Sequence, residues 1–93
     1  MINNRKVLQG KLVVSIEQAV AAPYCSSKLA EVGARVIKIE RKEGDFARYY
    51  DKFVKGQSTY FVWLNRGKES LIANLKNEED VLLLKNIIKK SDI

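Results

Sequence analysis

Short apolar stretches separated by small, charged or turn-forming residues set the rhythm of this chain. Leu12-Val13-Val14-Ser15-Ile16 is a near-continuous apolar run and predicts a strand over roughly Lys11–Ile16, covered on both faces. A turn of small residues follows, and then a helical pattern. Pro23 suits the first helical position, where its missing N–H costs nothing. Gly33 suits the left-handed position just past the helix end. Between them Tyr24, Cys25, Lys28, Leu29 and Val32 carry a helical apolar spacing. Val36-Ile37-Lys38-Ile39-Glu40 predicts a second strand over Arg35–Glu40. A helix between two apolar strands implies a parallel, right-handed βαβ unit.

Residues 41–57 are polar and irregular, with Gly44 and Gly56 as turn signals. Ser58–Leu64 is dense in aromatics and reads as a short helix with Ser58 as N-cap, a strand being the alternative. Asn65-Arg66-Gly67-Lys68 is a turn, and a third strand is expected over Ser70–Leu75. Asn77 makes a good N-cap for a helix whose first turn holds Glu78, Glu79 and Asp80, where the dipole favours acids. Val81, Leu84, Ile87 and Ile88 then line one face, and Lys85, Lys89 and Lys90 fall toward the C-terminal end. Ser91-Asp92-Ile93 reads as the entry to a fourth strand, an order that implies a longer protein. The predicted class is therefore α/β: a Rossmann-like βαβ half-domain with a short parallel sheet and flanking helices, truncated from a larger fold. It comprises a polar lead-in over residues 1–9 and one folded unit over residues 10–93.

Composition narrows the chemistry more than the fold. Ninety-three residues make one small domain, and 46% hydrophobic content is enough for an ordinary core. The chain has no histidine and one cysteine, which excludes an internal disulfide and fits a reducing, cytoplasmic compartment. No metal site is expected. No run approaches the ~20 apolar residues of a membrane span, so no membrane partner is expected. The formal charge of +6 favours anionic partners. The basic residues are scattered rather than striped, which speaks against a nucleic-acid binder.

The order strand, small-residue turn, helix, strand, basic residue is the layout of a nucleotide-type site at the carboxyl end of a parallel sheet. The turn Glu17-Gln18-Ala19-Val20-Ala21-Ala22 lets a ligand approach the backbone near a helix start, but small residues there also serve strand–helix packing. The glycine fingerprint of dinucleotide sites is absent. Arg41, at the end of the second strand, can stack on a base, pair with a phosphate, or remain a surface arginine paired with Glu40 or Glu43. Asp45 reads as a turn or cap residue. Cys25 has no histidine to act as its base and is expected to be a buried structural cysteine. Tyr60, Phe61 and Trp63 can stack a base, though such clusters are more often core or interface. Asn65-Arg66-Gly67-Lys68 is a basic turn that can meet phosphate or simply face solvent.

Several runs together carry a resemblance. Glu17-Gln18-Ala19-Val20-Ala21-Ala22-Pro23-Tyr24-Cys25 is followed by Leu29-Ala30-Glu31-Val32-Gly33-Ala34-Arg35-Val36-Ile37-Lys38-Ile39-Glu40-Arg41 and Gly44-Asp45-Phe46-Ala47-Arg48. The last run is Tyr60-Phe61-Val62-Trp63-Leu64-Asn65-Arg66-Gly67-Lys68-Glu69-Ser70. In this combination the chain, from about Gln9 to Ile93, resembles the N-terminal part of family III CoA-transferases, the CaiB/BaiF group.

The resemblance implies a Rossmann-like N-terminal domain, an interlocked homodimer, and transfer of CoA from an acyl-CoA to a carboxylic acid. An aspartate carboxylate attacks the thioester, giving a mixed anhydride and then an aspartyl-CoA thioester. Coenzyme A is there a substrate rather than a covalently bound cofactor. By the same resemblance Val20 and Ala21 border CoA, Arg41 holds its adenine nucleotide end, and Ala73, Asn74, Leu75 and Lys76 line the site. Gln18 lies toward the active-site side of the turn. The family usually reads Leu-Asp-Leu-Lys where this chain has Ala73-Asn74-Leu75-Lys76, which weakens apolar packing against the adenine. The family's aspartate lies downstream of residue 93, and none of Asp45, Asp51, Asp80 or Asp92 matches it. The 93 residues alone are thus expected to be inactive in transfer and, with apolar surface uncovered, to self-associate. The alternatives are a non-catalytic CoA- or nucleotide-binding module or decayed gene fragment and, behind it, a basic nucleic-acid binder.

Overall fold

The computed structural model describes residues 6–93. Strands β1 (Leu12–Ile16), β2 (Arg35–Glu40) and β3 (Lys68–Ile72) form one parallel sheet in the order β1-β2-β3. Helices α1 (Ala21–Glu31), α2 (Thr59–Asn65) and α3 (Glu78–Lys90) and a short 3-10 helix, Phe46–Tyr49, complete the unit. Beyond the free edge of β1 the sheet continues with the last two residues. The Ile93 N–H donates to the Leu12 carbonyl at 3.2 Å, and the Val14 N–H donates to the Ile93 carbonyl at 3.0 Å. Laterally this gives β3-β2-β1 and then the entry of a further parallel segment, the doubly wound order. The α/β, Rossmann-like expectation therefore holds.

Alternation along β2 splits the core in two. Val36 joins Val13 and Ala34 on one face, with Leu8, Leu29 and Ala30 packed against them. Ile39 joins Ala73 and Leu84 on the other, with Val14, Ile37 and Leu71. α1 thus covers one face and α3 the other, as a parallel sheet requires. Gly33 ends α1 as expected. Its φ is +107°, its N–H donates to the Ala30 carbonyl at 3.1 Å, and the Ala34 N–H donates to the Leu29 carbonyl at 3.2 Å. That is the paired closure which favours glycine at this position. Ser58 caps α2 through the Phe61 N–H, settling the helix over the strand, and Asn77 caps α3 through the Asp80 N–H.

Several expectations shift. β3 runs Lys68–Ile72, not Ser70–Leu75. Parallel pairing continues only one step further, from the Ala73 N–H to the Glu40 carbonyl. The Asn74 N–H then turns to the Asp80 carboxylate at 2.8 Å and leaves the ladder. Pro23 stands at the third rather than the first position of α1, still within the turn whose N–H groups lack helical partners. Cys25 is exposed, not buried. The buried stripe of α1 passes through Pro23 and Ser26, which rotates Tyr24 and Cys25 outward. The lead-in is not all polar surface, because Leu8 packs on the Val13 cluster and its N–H donates to the Val32 carbonyl at 2.9 Å. Residues 1–5 of that lead-in lie outside the described residues. On α3, Leu84 is buried while Ile88 faces solvent. Among the described residues no helix is long and apolar enough to cross a membrane.

Candidate functional site at the carboxyl ends of the strands

All three strands point their carboxyl ends at one open cavity of about 820 Å³. β1 contributes Ile16, Glu17 and Gln18, β2 contributes Ile39, Glu40 and Arg41, and β3 contributes Ile72 and the segment Ala73–Lys76. Gln18, Arg41, Ala73, Asn74, Leu75 and Lys76 therefore share one cavity. Val20 and Ala21 do not line it; they form the N-cap and first residue of α1. Apolar side chains stand uncovered at the rim: Ile16 is 59% exposed, Ile72 61% and Leu75 52%.

A buried charge cluster fixes the walls. Lys38 is 1% exposed, and its ammonium donates to Asp45 Oδ2 at 2.6 Å, Asn65 Oδ1 at 3.0 Å and Glu17 Oε2 at 3.1 Å. Lys68 donates to the same Glu17 oxygen at 2.6 Å, and to Asn65 Oδ1 and the Pro23 carbonyl at 3.0 Å each. The hydroxyls of Ser15 and Ser26 donate to Glu17 Oε1. Two ammonium groups thus balance two carboxylates, and every buried ion has hydrogen-bond partners, the condition under which buried charges are tolerated. Burial works to raise the Glu17 carboxyl, but the hydrogen bonds from Lys68, Ser15 and Ser26 and the Lys38 charge hold it below its ordinary value. Burial likewise opposes ionisation of Asp45, and Lys38 with the Ala19 and Ala47 N–H groups outweighs it. Burial pulls the Lys68 ammonium down against the upward pull of Glu17.

Asp45 is the mechanical link. Its Oδ1 accepts from the Ala19 N–H at 2.8 Å and the Ala47 N–H at 2.9 Å, joining the turn after β1 to the loop after β2. It caps the 3-10 helix, as a lone loop aspartate was expected to cap, but it also carries a buried charge. Ala19 takes a left-handed φ of 66° to present that N–H. Beside it, Arg48 forks onto Glu40 at 2.8 and 2.7 Å and lies 3.9 Å from the Phe61 ring centre. The Arg48 hydrogen bonds, with those from Ser70 and the Asp45 N–H, outweigh burial and hold the Glu40 carboxyl at about 2.

Arg41 pairs with neither Glu40 nor Glu43. Its Nε–H donates to the Gly44 carbonyl at 3.2 Å, and its guanidinium lies 4.0 Å from the Phe46 ring centre. The aromatic residues of α2 form a ladder on the outer surface. Tyr50 meets Tyr60 edge-on at 5.6 Å, Tyr60 lies 6.4 Å from Trp63, and Trp63 lies 6.1 Å from Tyr24. The ladder residues do not line the cavity, and the Asn65–Lys68 turn joins the charge cluster through the part-buried Asn65 and Lys68 side chains.

Sequence reasoning gave none of Glu17, Lys38, Lys68, Glu40 or Arg48 a buried charge role. One signal was available: a strand covered on both faces places Lys38 and Glu40 where charge needs partners.

A family model described as CoA-transferase family III matches residues 8–93. Over 85 residues the chain is 40% identical to an acetyl-CoA:oxalate CoA-transferase of Acetobacter aceti, a match covering 90% of this chain and 22% of that protein. Over 94 residues it is 34% identical to a succinyl-CoA:glutarate CoA-transferase of Homo sapiens, covering 99% of this chain and 22% of that protein. The fold superposes on the crystal structure of a CaiB/BaiF family protein from Brucella suis with a TM-score of 0.85 at 32% identity, covering 91% of this chain and 24% of the other. The chain thus spans 22% of the length of these curated relatives.

Proposed function

Because the chain belongs to CoA-transferase family III, we propose that its strand-end cavity holds the adenine nucleotide end of coenzyme A, as the N-terminal part of an acyl-CoA:carboxylate CoA-transferase. The observation that supports this best is the cavity rim. Ile16, Ile72 and Leu75 leave apolar surface uncovered beside the Arg41 guanidinium, at the edge where doubly wound sheets take their ligands. A purine suits such a slot, since its faces are apolar and stack on a guanidinium. Of the lining acids, Glu17 is already paired with Lys68 and Lys38, Asp45 with Lys38, and Glu40 with Arg48. Lys42 and Lys76 supply cations for phosphate, with Glu43 and Asp80 as the remaining acids.

In the whole enzyme an aspartate carboxylate attacks the acyl-CoA thioester, and CoA then passes through an aspartyl thioester to the acceptor acid. Each aspartate of this chain is engaged otherwise. Asp45 is buried on Lys38, and Asp51 holds the Thr59 and Phe53 N–H groups. Asp80 holds the Asn74 N–H, and Asp92 the Leu12 N–H. On this reading these 93 residues by themselves bind without transferring, the non-catalytic form of the same site. We read the whole protein as a cytoplasmic interlocked homodimer. For the present chain the exposed Leu82, Leu83 and Trp63 favour self-association, which a monodisperse monomer in light scattering would contradict.

Calorimetry tests the reading. CoA should bind, and Arg41→Ala should weaken it about tenfold, the scale of a partly desolvated stacked cation. Absence of CoA binding at millimolar ligand, or full affinity in Arg41→Ala, removes it. Thioester exchange catalysed by the purified chain would remove the non-catalytic part.

A further inference from the structure

We infer that Phe46 is a positioning residue that holds the Arg41 guanidinium as a stacking plane for the base, so that Arg41 reads adenine rather than phosphate. This rests on the reading of the cavity as an adenine nucleotide site.

Arg41 lines the cavity and Phe46 does not, so the ring backs the guanidinium from outside it. At 4.0 Å from the ring centre, the guanidinium is in cation–π range. Its Nε–H is also occupied, by the Gly44 carbonyl at 3.2 Å. No ion pair competes for the guanidinium among the described residues, because Glu40 is taken by Arg48. One contact and one donor are thus fixed while the residue still lines the cavity, where a planar ligand can meet it. A free surface arginine would lose its rotamer freedom on binding; this one has lost much of it beforehand.

The placement of Phe46 has a structural cause. It stands between Asp45 and Ala47, both buried, and is itself 49% exposed. Asp45 is anchored by Lys38 and caps the 3-10 helix through the Ala47 N–H. The buried cluster therefore sets the backbone on which Phe46 stands, and Phe46 sets Arg41. A half-exposed phenylalanine has no role in the core, so replacing it should leave the fold intact.

The test uses the 93-residue protein, the variants Phe46→Leu, Arg41→Ala and their double, and three ligands: CoA, CoA lacking its ribose 3′-phosphate, and pantetheine, which lacks the nucleotide. Phe46→Leu should weaken both nucleotide ligands about two- to fivefold, leave pantetheine unchanged, and add nothing in the Arg41→Ala background. NMR gives a reading without ligand: the Arg41 side-chain protons should show a ring-current shift that vanishes in Phe46→Leu. No such shift in the wild type overturns the positioning role, whatever binds. CoA binding with Phe46→Leu equal to the wild type overturns it while leaving the cavity reading intact. A loss for Arg41→Ala that disappears with the 3′-phosphate makes Arg41 a phosphate contact and also overturns it. A ring-current shift without any CoA binding sinks the cavity reading and the assignment to a base with it.

Discussion

Replacing Lys38 with methionine should remove a large share of the stability of this domain. The side chain is 1% exposed, and its ammonium serves Asp45, Glu17 and Asn65. Methionine fills similar space and removes the charge. Glu17 keeps Lys68, Ser15 and Ser26, and Asn65 keeps Lys68. The loss falls on Asp45, whose Oδ2 has no other partner, so a carboxylate is stranded in the interior. Breaking one side of a buried pair costs about 3–5 kcal/mol. A domain of 93 residues has roughly 5–14 kcal/mol in total. The melting temperature should fall by ~12–40 °C, at about 4–8 °C per kcal/mol for this size.

Urea unfolding followed by circular dichroism measures the change, and an unaltered slope against denaturant would show that the folded state remains compact. A second variant isolates the cause. In Lys38→Met/Asp45→Asn the amide oxygen still accepts from Ala19 and Ala47 while the stranded charge is gone, so about 1–2 kcal/mol should return. A single-variant loss below about 1 kcal/mol, or strictly additive losses in the double, would refute the reasoning.

Acid should weaken the fold through Glu40. Its carboxyl is held at about 2, chiefly by Arg48, against an ordinary 4.5, so its contribution is whole above 4.5 and is lost as pH falls toward about 2. Arg48 is 38% exposed, which screens the pair and leaves about 1–2 kcal/mol. Denaturant titrations across that window should show the slope, and Arg48→Met should flatten it; an unchanged slope in the variant would assign the acid response to other groups. Ala19→Gly should stabilise by about 0.5–1 kcal/mol, since Ala19 sits at φ 66° where glycine relieves the strain. A lower melting temperature for that variant would mean that the turn is not strained in solution.

The parallel βαβ frame was legible because its determinants are local. Val13, Val36 and Ile39 announce buried strands, and Gly33 announces the end of α1 by its own backbone preference. Two of the points missed, the stripe of α1 and the start of β3, share a distant cause in Glu17. Its carboxylate draws on Ser26 nine residues away, Lys38 twenty-one away and Lys68 fifty-one away. Ser26 on Glu17 turns the α1 stripe so that a serine faces the sheet and Cys25 faces solvent, against the apolar spacing. Lys68 on Glu17 draws the charged start of β3 inward, so the strand begins two residues before the expected start at Ser70. Periodicity weighs each side chain by its affinity for water and cannot register that one buried carboxylate decides which polar neighbours go inside with it. Glu17 is also one of the residues lining the cavity, next to Gln18. The site is therefore least legible where it is most rigid, because charges that pair across the sheet, rather than a local motif, hold its walls.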